Sequence, residues 1–230
     1  MILLIFIGTL VLSIGAAMKV RSTFAHFSGI PTESGMTGAE TAQAILSASG
    51  IRNVEVVPVP GTLSDHYNPM THELALSEEN YYGRSLAAVG VAAHETGHAI
   101  QHQAGYVPLH LRAAAVGMTN VASQIVTWLP ILGIFTHILS TYTGLLVMAI
   151  GWGVIMAFNL VTLPVEYDAS RRGKLMLGRL GVVHSGNEAA GVAKMLNAAA
   201  LTYVAAFVTS LAYFLVYLLP LLGGGRRYDR

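Results

Sequence analysis

Cysteine is absent from this chain of 230 residues, which excludes disulfide bonds and thiolate metal ligands. Charged residues make up only 11% of the sequence, whereas about 25% is usual in a soluble protein. The net charge of +1 gives no support to nucleic-acid binding. Apolar residues reach 53% and the mean hydropathy is +0.57, so the composition predicts a mostly α-helical membrane protein.

Charge is also missing from long stretches of the chain. Residues 1–17 have no charged side chain and are predicted to form a retained N-terminal membrane anchor. A cleaved signal peptide is the alternative, since the small residues at 15–17 resemble a cleavage site. No basic residue precedes this run, whereas Lys19 and Arg21 follow it, and that order favours the anchor.

Three further apolar runs cover residues 113–139, 142–163 and 198–222. The run 142–163 is free of charge along its whole length and is long enough to cross a hydrocarbon core of about 30 Å. Polar residues interrupt the first half of the run 113–139, and they are expected to face the protein interior or an active site rather than lipid. We therefore expect about four transmembrane or membrane-embedded helices, with residues 113–163 forming a hairpin.

The basic residues indicate how these helices are oriented. Ten of the thirteen Lys and Arg residues lie in segments 18–112 and 164–197, so both segments are predicted to be cytoplasmic. Residues 223–230 form a basic tail, which would lie on the opposite side if the C-terminal membrane helix 198–222 crosses completely. A re-entrant run bent near Pro220 is the alternative, because it removes this conflict.

The chemistry-bearing motif is His94-Glu95-Thr96-Gly97-His98, which has the form H-E-x-x-H. Positions i and i+4 share one face of a helix, so both imidazoles can bind one zinc ion while Glu95 acts as general base. The surrounding segment 85–103 is rich in Ala and free of Pro, as expected for a buried helix. Gly97 is expected to leave room beside the metal. A satisfied pair of core histidines is the alternative.

A catalytic zinc needs a third protein ligand. His102 continues the histidine stripe but lies about 12 Å along the helix axis from His94, so it is expected to be a neighbouring or outer group. Glu166 is the better candidate, because a helical hairpin of residues 113–163 would return it to the motif. Only Glu166 and Asp168 are acidic between the motif and position 188. A structural surface acid is the alternative for Glu166.

The polar segments have their own secondary-structure signals. Thr37 and Glu40 have the spacing of a capping box for a helix that ends near Gly50, and Ser185 with Glu188 repeats that spacing. Residues 54–59 and 74–76 are predicted strands, and residues 61–69 a loop. The prediction is a zincin-like, gluzincin-type α+β catalytic part, split between residues 18–112 and 164–197. An edge strand of the small sheet can bind an extended peptide, although an ordinary hairpin explains the pattern equally well.

With these motifs in view, the sequence resembles the YugP-type neutral zinc metallopeptidases, which are bacterial membrane proteins. It is more distantly similar to the HtpX-like and CAAX-prenyl endopeptidases. The matching stretches extend from residue 37 to about residue 206: TGAETAQAILSASGI, LSDHYNP with LALS, VAAHETGHAIQ, LPVEYDASRR and LNAAALTYVAA.

The resemblance implies that His94, His98 and Glu166 bind one zinc ion and that Glu95 is the general base. It also implies a protein of the bacterial inner membrane. The wider group commonly has an Asp four positions after the glutamate ligand, where this chain has Ser170 and where Asp168 lies two positions earlier. An acid or a hydroxyl is thus still available to orient a histidine.

A further donor is expected to stabilise the oxyanion of the tetrahedral intermediate. The candidates are His184, Tyr203 and Arg171, because each follows Glu166 on the same predicted side or near the membrane boundary. Each also has an ordinary explanation: a solvated loop, an interfacial aromatic residue and a positive-inside charge, respectively. The cluster Asp65-His66-Tyr67 is equally well explained as a turn before Asn68-Pro69.

The predicted function is a membrane-embedded zinc endopeptidase that acts on membrane or misfolded proteins, with the lipid bilayer and a protein or peptide substrate as its partners. A non-catalytic zinc-binding scaffold or assembly protein is the alternative, but a structural site has no need of an acid beside its first ligand. A metal transporter is a third class. It is disfavoured because His137 is the only His, acidic or basic residue in the four apolar runs.

Overall fold

The structure is a computed structural model that describes residues 2–136 and 141–223, with the side chains of 134–136 left out. His137 and the basic tail of the sequence analysis lie outside the described residues, as does the short link before residue 141. The described part is mostly helical, with one small sheet. In chain order its elements are α1 (Ile2–Ser28), α2 (Gly38–Ala48), β1 (Glu55–Val59), β2 (His66–Asn68), β3 (Glu73–Ser77), α3 (Glu78–Tyr82), α4 (Leu86–Gln103), α5 (Val107–Thr136), α6 (Thr141–Arg179) and α7 (Gly186–Gly223).

Four of the described helices, α1, α5, α6 and α7, are long and apolar enough to cross a membrane. This agrees with the number expected from the apolar runs. Helix α6 has 39 residues and would measure about 58 Å, close to twice the hydrocarbon thickness. It therefore continues past its apolar run, through Pro164, and carries Glu166 on the same helix. Helix α7 likewise remains helical on both sides of Pro220.

The chain divides into two compact units. The first unit comprises residues 1–15, 111–163 and 203–230, and in it the apolar helices α5, α6 and α7 pack together. The Trp152 and Tyr213 rings stack with their centroids 4.6 Å apart. Asn159 donates hydrogen bonds from Nδ2 to the Ala206 carbonyl at 3.2 Å and to Ser210 Oγ at 3.1 Å. These contacts join α6 to α7 within the unit.

The second unit comprises residues 16–110 and 164–202 and contains the sheet and helix α4. The strand order is β1-β3-β2, with β1 parallel and β2 antiparallel to the central strand β3. The predicted strands at 54–59 and 74–76 are confirmed as β1 and β3. The prediction of a loop over 61–69 is wrong in part, because residues 66–68 pair with β3. Three residues are too few to show the alternation by which a strand is recognised.

Helix caps and apolar side chains hold this second unit together. Thr37 Oγ1 accepts the Glu40 backbone N–H at 3.1 Å, and the Glu40 carboxylate accepts the Thr37 N–H at 2.7 Å. This confirms the capping box at the start of α2. Two buried apolar clusters share α4: one also includes residues of α1, α6 and α7, and the other residues of α2 and β3. Helix α4 is therefore the central element of the unit.

Candidate metal centre

Helix α4 places the two motif histidines on one face. Ser85 caps its first turn by accepting the Ala88 N–H at 3.2 Å, and the helix with this cap covers the segment 85–103 that is expected to be helical. The rings of His94 and His98 lie edge to face with centroids 4.9 Å apart, as the i, i+4 spacing requires. His98 is buried and His94 is half-buried, so both imidazoles point into the protein rather than into bulk solvent.

Glu166 reaches these histidines because α6 passes unusually close to α4. A Cβ added at Gly97 would collide with the Ala169 carbonyl oxygen, and one added at Gly173 would collide with the Ala93 carbonyl oxygen. The two glycines thus allow the two helix backbones to approach each other at reciprocal points. The expectation that Gly97 leaves room beside a metal is wrong, since the space at Gly97 is filled by the backbone of α6.

The Glu166 carboxylate and the two imidazoles converge on one point. Glu166 Oε2 lies 3.2 Å from His94 Nε2 and 3.7 Å from His98 Nε2. Two ligand atoms bound tetrahedrally to zinc at 2.0–2.1 Å would lie about 3.3 Å apart. The donor set of two imidazoles and one carboxylate also suits zinc chemically. Both the spacing and the chemistry of these three residues therefore fit a zinc ion.

The opposite nitrogen of each imidazole has a hydrogen-bonding partner. Ser170 Oγ lies 3.0 Å from His94 Nδ1, and Gln101 Oε1 lies 3.0 Å from His98 Nδ1. The Ser170 hydroxyl can donate or accept, so its contact does not fix the tautomer of His94. The amide oxygen of Gln101 can only accept, so His98 must carry its proton on Nδ1. That tautomer leaves Nε2 of His98 with a free lone pair directed towards Glu166.

Gln101 links His98 to the acidic residue that the sequence analysis singled out. The side chain of Gln101 is fully buried and donates from Nε2 to the Val165 carbonyl at 2.8 Å and to Asp168 Oδ2 at 3.0 Å. Asp168 in turn forms ion pairs with Arg171 and Arg172. Asp168 is thus linked to His98 through the side chain of Gln101. Sequence reasoning missed Gln101, although its position three residues after His98 on α4 was available as a signal.

Glu95 is the buried acid between the two histidines. Its exposed fraction is 8%, and burial raises the pKa of the Glu95 carboxyl to about 7. That value already includes the effects of nearby charges: His94 lowers the pKa, whereas Glu166 and Asp65 raise it. Burial likewise raises the pKa of Glu166, but the two adjacent imidazoles of His94 and His98 outweigh burial and hold that pKa well below its usual value. One acid is therefore adapted to exchange protons near neutrality and the other to remain charged.

The remaining candidates lie in other surroundings. His184 is exposed and belongs to a second group, with Glu33 and Glu188, in which Glu188 accepts backbone N–H bonds from both of the others. The Glu188 N–H also bonds Ser185 Oγ at 3.2 Å, so the second predicted capping box is present. Tyr203 belongs to the first unit and is half-buried.

His102 belongs to a group of aromatic side chains and is not part of the group formed by His94, His98 and Glu166. Its Nδ1 lies 2.9 Å from the Tyr67 hydroxyl, and its ring stacks on His72 at 5.5 Å and meets His110 edge to face at 5.9 Å. Burial lowers the pKa of His102, and the nearby His72 and His110 lower it further. The expectation that His102 is a neighbouring or outer group of the metal centre stays a prediction.

Comparisons with known proteins bear on this site. The family model described as "Putative neutral zinc metallopeptidase" matches residues 2–222 of the chain. A protein of Bacillus subtilis (strain 168) named "Putative membrane protease YugP" is 44% identical over 223 residues, which is 95% of each chain. No solved structure gives a significant match. Because the family model covers nearly the whole sequence, the chain belongs to this neutral zinc metallopeptidase family.

Proposed function

We propose that the protein is a membrane-embedded, zinc-dependent endopeptidase with a zincin-like, gluzincin-type catalytic part. The observation that carries the proposal is the convergence of His94 Nε2, His98 Nε2 and Glu166 Oε2 beside the buried carboxyl of Glu95. The family description and the membrane protease relative support the same reading. One zinc ion held there would supply a Lewis acid and a water molecule of lowered pKa.

In this mechanism Glu95 takes a proton from the attacking water and returns it to the leaving amine. Burial raises the pKa of the Glu95 carboxyl above that of an exposed carboxyl, which makes its carboxylate a stronger base for the first step. Ser170 and Gln101 hold the imidazoles of His94 and His98 in register with Glu166. His184 and Tyr203 remain the proposed candidates for stabilising the oxyanion, whereas Arg171 is paired with Asp168.

A non-catalytic zinc-binding scaffold is the competing function. A closed structural zinc site uses four protein ligands. Within the described residues, the group formed by the two histidines and Glu166 has three members, which leaves one coordination position for water or substrate. Glu95 is also costly to bury without a chemical task. Both observations favour the peptidase over the scaffold.

We further propose that the substrates are membrane proteins or misfolded proteins and that cleavage occurs on the cytoplasmic side of the bacterial inner membrane. Ten of thirteen Lys and Arg residues fall in segments 18–112 and 164–197, which supports this orientation. Strands β1 and β2 are the outer strands of the sheet, so each has one edge that pairs with no other strand of this sheet. An extended peptide can add to such an edge as a further strand.

The first test compares the wild-type protein with Glu95→Gln and Glu166→Gln in neutral detergent micelles. Zinc content is measured by elemental analysis, and proteolysis is measured with unfolded casein. We expect wild type and Glu95→Gln to bind one zinc each, with activity at least a hundredfold lower in Glu95→Gln because the proton acceptor is lost, roughly the size of a general-base effect. Glu166→Gln should lose most of its zinc as well as its activity.

Glu79→Gln is the matched control, because Glu79 is exposed on α3 and is expected to leave both zinc and activity unchanged. Removing zinc with a chelator should abolish wild-type activity, and returning zinc should restore it. Full activity in Glu95→Gln would refute the assigned general base. A folded wild-type protein that binds no zinc would refute the metal centre.

A further inference from the structure

A cavity of about 650 Å³ lies within the second unit, between α1 and α7. Its lining includes none of the residues of the candidate metal centre. Two of the chain's three lysines, Lys19 and Lys194, do line it. Positive charge is scarce in this sequence, so its concentration at one cavity indicates a negatively charged occupant.

The α1 wall of the cavity is a regular polar face. Lys19, Ser22, Thr23 and His26 line it at spacings of i, i+3, i+4 and i+7, which places them on one side of the helix. The ammonium group of Lys19, the hydroxyl of Thr23 and the imidazole of His26 can all donate hydrogen bonds to an oxyanion, whereas the Ser22 hydroxyl donates to the Lys19 carbonyl at 3.1 Å. This wall is therefore built to bind an acceptor-rich group such as a phosphate.

The α7 wall repeats the pattern and adds apolar surface. Lys194 and Asn197 provide further donors, and Leu201 follows one helical turn later with its side chain exposed. Phe27 of α1 and Ala198 of α7 complete the apolar part of the lining. The cavity thus combines a cationic, hydrogen-bonding part with an apolar part.

The positive charge of this cavity is not neutralised by the protein. Throughout the part of the chain that the structure describes, neither Lys19 nor Lys194 is paired with a carboxylate, and no acid lines the cavity. By contrast, Arg171 and Arg172 are both paired with Asp168. Two unpaired ammonium groups at one cavity favour an anion over a neutral or zwitterionic ligand.

Both lysines occupy the ends of apolar runs. Lys19 follows the charge-free run 1–17 on α1, and Lys194 precedes the apolar run 198–222 on α7. This is the level at which a lipid phosphate meets the hydrocarbon core. A free anion would have no use for the apolar lining, whereas a lipid would contact it with an acyl chain.

We propose that this cavity binds the headgroup phosphate of an anionic phospholipid. Lys19 and Lys194 neutralise the negative charge, while Thr23 and Asn197 are positioned to donate hydrogen bonds to the phosphate oxygens. Leu201 contacts the acyl chain. This proposal is independent of the peptidase function and requires only that the chain resides in a membrane.

The test measures lipid retention by the full-length protein in neutral detergent, using native mass spectrometry and thermal unfolding. The probes are phosphatidylglycerol, phosphatidylcholine and inorganic phosphate. We expect the wild-type protein to retain phosphatidylglycerol in preference to phosphatidylcholine. Of the three probes, only phosphatidylglycerol should raise its melting temperature. Each lysine replaced by Gln should weaken phosphatidylglycerol binding about fivefold, and Lys19→Gln with Lys194→Gln should weaken it about thirtyfold.

Lys174→Gln is the matched control, since Lys174 is the remaining lysine and does not line the cavity. It should bind phosphatidylglycerol like wild type, and the double variant Lys19→Arg with Lys194→Arg should retain binding because the charge is kept. Should the double Gln variant fail to fold, the lipid preference of wild type and the Arg variant still decide the matter. Equal binding of phosphatidylcholine, an equal loss in Lys174→Gln, or stabilisation by inorganic phosphate alone would each overturn the proposal.

Discussion

At the scale of single residues, the partners of the two imidazoles decide what the site can bind. Ser170 lies within hydrogen-bonding distance of His94 Nδ1, and Gln101 of His98 Nδ1. The Nε2 atoms of both histidines are thereby directed towards Glu166. Such outer partners orient metal ligands and increase their basicity. The Ser170 hydroxyl lies 3.0 Å from Nδ1 of His94 and can hold that ring in place.

The first prediction at this scale concerns Ser170→Ala. Loss of the hydroxyl leaves Nδ1 of His94 without its partner, so zinc affinity should fall by about 10- to 100-fold. The measurement is a competition titration of the purified protein against a chelator of known zinc affinity. Ser47→Ala is the control, because Ser47 is exposed on α2 and should leave zinc affinity unchanged. An unaltered affinity in Ser170→Ala would show that this hydrogen bond does not support the metal ligand.

At the scale of elements, the close crossing of α4 and α6 sets the geometry of the site. Gly97 and Gly173 each lie against a backbone carbonyl of the opposite helix. Glu166 lies on α6 less than two turns before Ala169 and Gly173, so its distance from the histidines depends on this crossing. A helix pair with side chains at the two glycine positions would be forced apart.

We therefore predict that Gly97→Ala destabilises the protein by about 1–3 kcal/mol through overpacking and also weakens zinc binding. The collision is with backbone, which cannot rotate away as a side chain can. Thermal unfolding in detergent and zinc content are the two measurements. Gly178→Ala on α6 is the control, since open space surrounds that position. It should be neutral or stabilising by up to about 1 kcal/mol. Equal melting temperatures for the two variants would contradict the role of the crossing.

At the scale of the whole molecule, the apolar helices and the basic residues together predict a sidedness. The second unit contains the candidate metal centre and the sheet, and its two segments match the basic portions of the sequence closely. From this distribution the positive-inside rule predicts that the unit lies in the cytoplasm. The cavity between α1 and α7 belongs to the same unit, at the ends of two apolar runs.

The sidedness can be measured directly because the chain has no cysteine of its own. Single cysteines at Met70, which is 88% exposed, and at Leu175, which is 48% exposed, report on the two segments of the second unit. A membrane-impermeant maleimide should label neither in intact cells and both after permeabilisation. A cysteine at Tyr142, at the start of α6, is expected to be labelled in intact cells. Labelling of Met70→Cys in intact cells would reverse the predicted orientation.

Local signals in the sequence were sufficient for much of the fold. The capping boxes at Thr37 and Ser185 depend on contacts between residues three apart, so the sequence predicted them and the structure confirms them. Four apolar helices were predicted for the same reason, since length and hydropathy are properties of a continuous segment. The three-residue strand β2 was missed because its pairing partner, β3, supplies the hydrogen bonds that define it.

By itself, the sequence determined that His94 and His98 share one face of α4, because residues four positions apart lie on the same side of any helix. The sequence also limited the candidates for a third ligand after the motif, since Glu166 and Asp168 are the only acidic residues between Glu95 and Glu188. Only the tertiary structure decided that Glu166 meets the histidines, that Gln101 holds one of them, and that Gly97 accommodates α6. The contacts of Glu166 with the histidines, of Gln101 with Val165 and of Gly97 with Ala169 each join residues more than sixty positions apart. The contact between Gln101 and His98 is local, but the bond to Val165 orients the Gln101 side chain. This geometry therefore arises only when the helices pack.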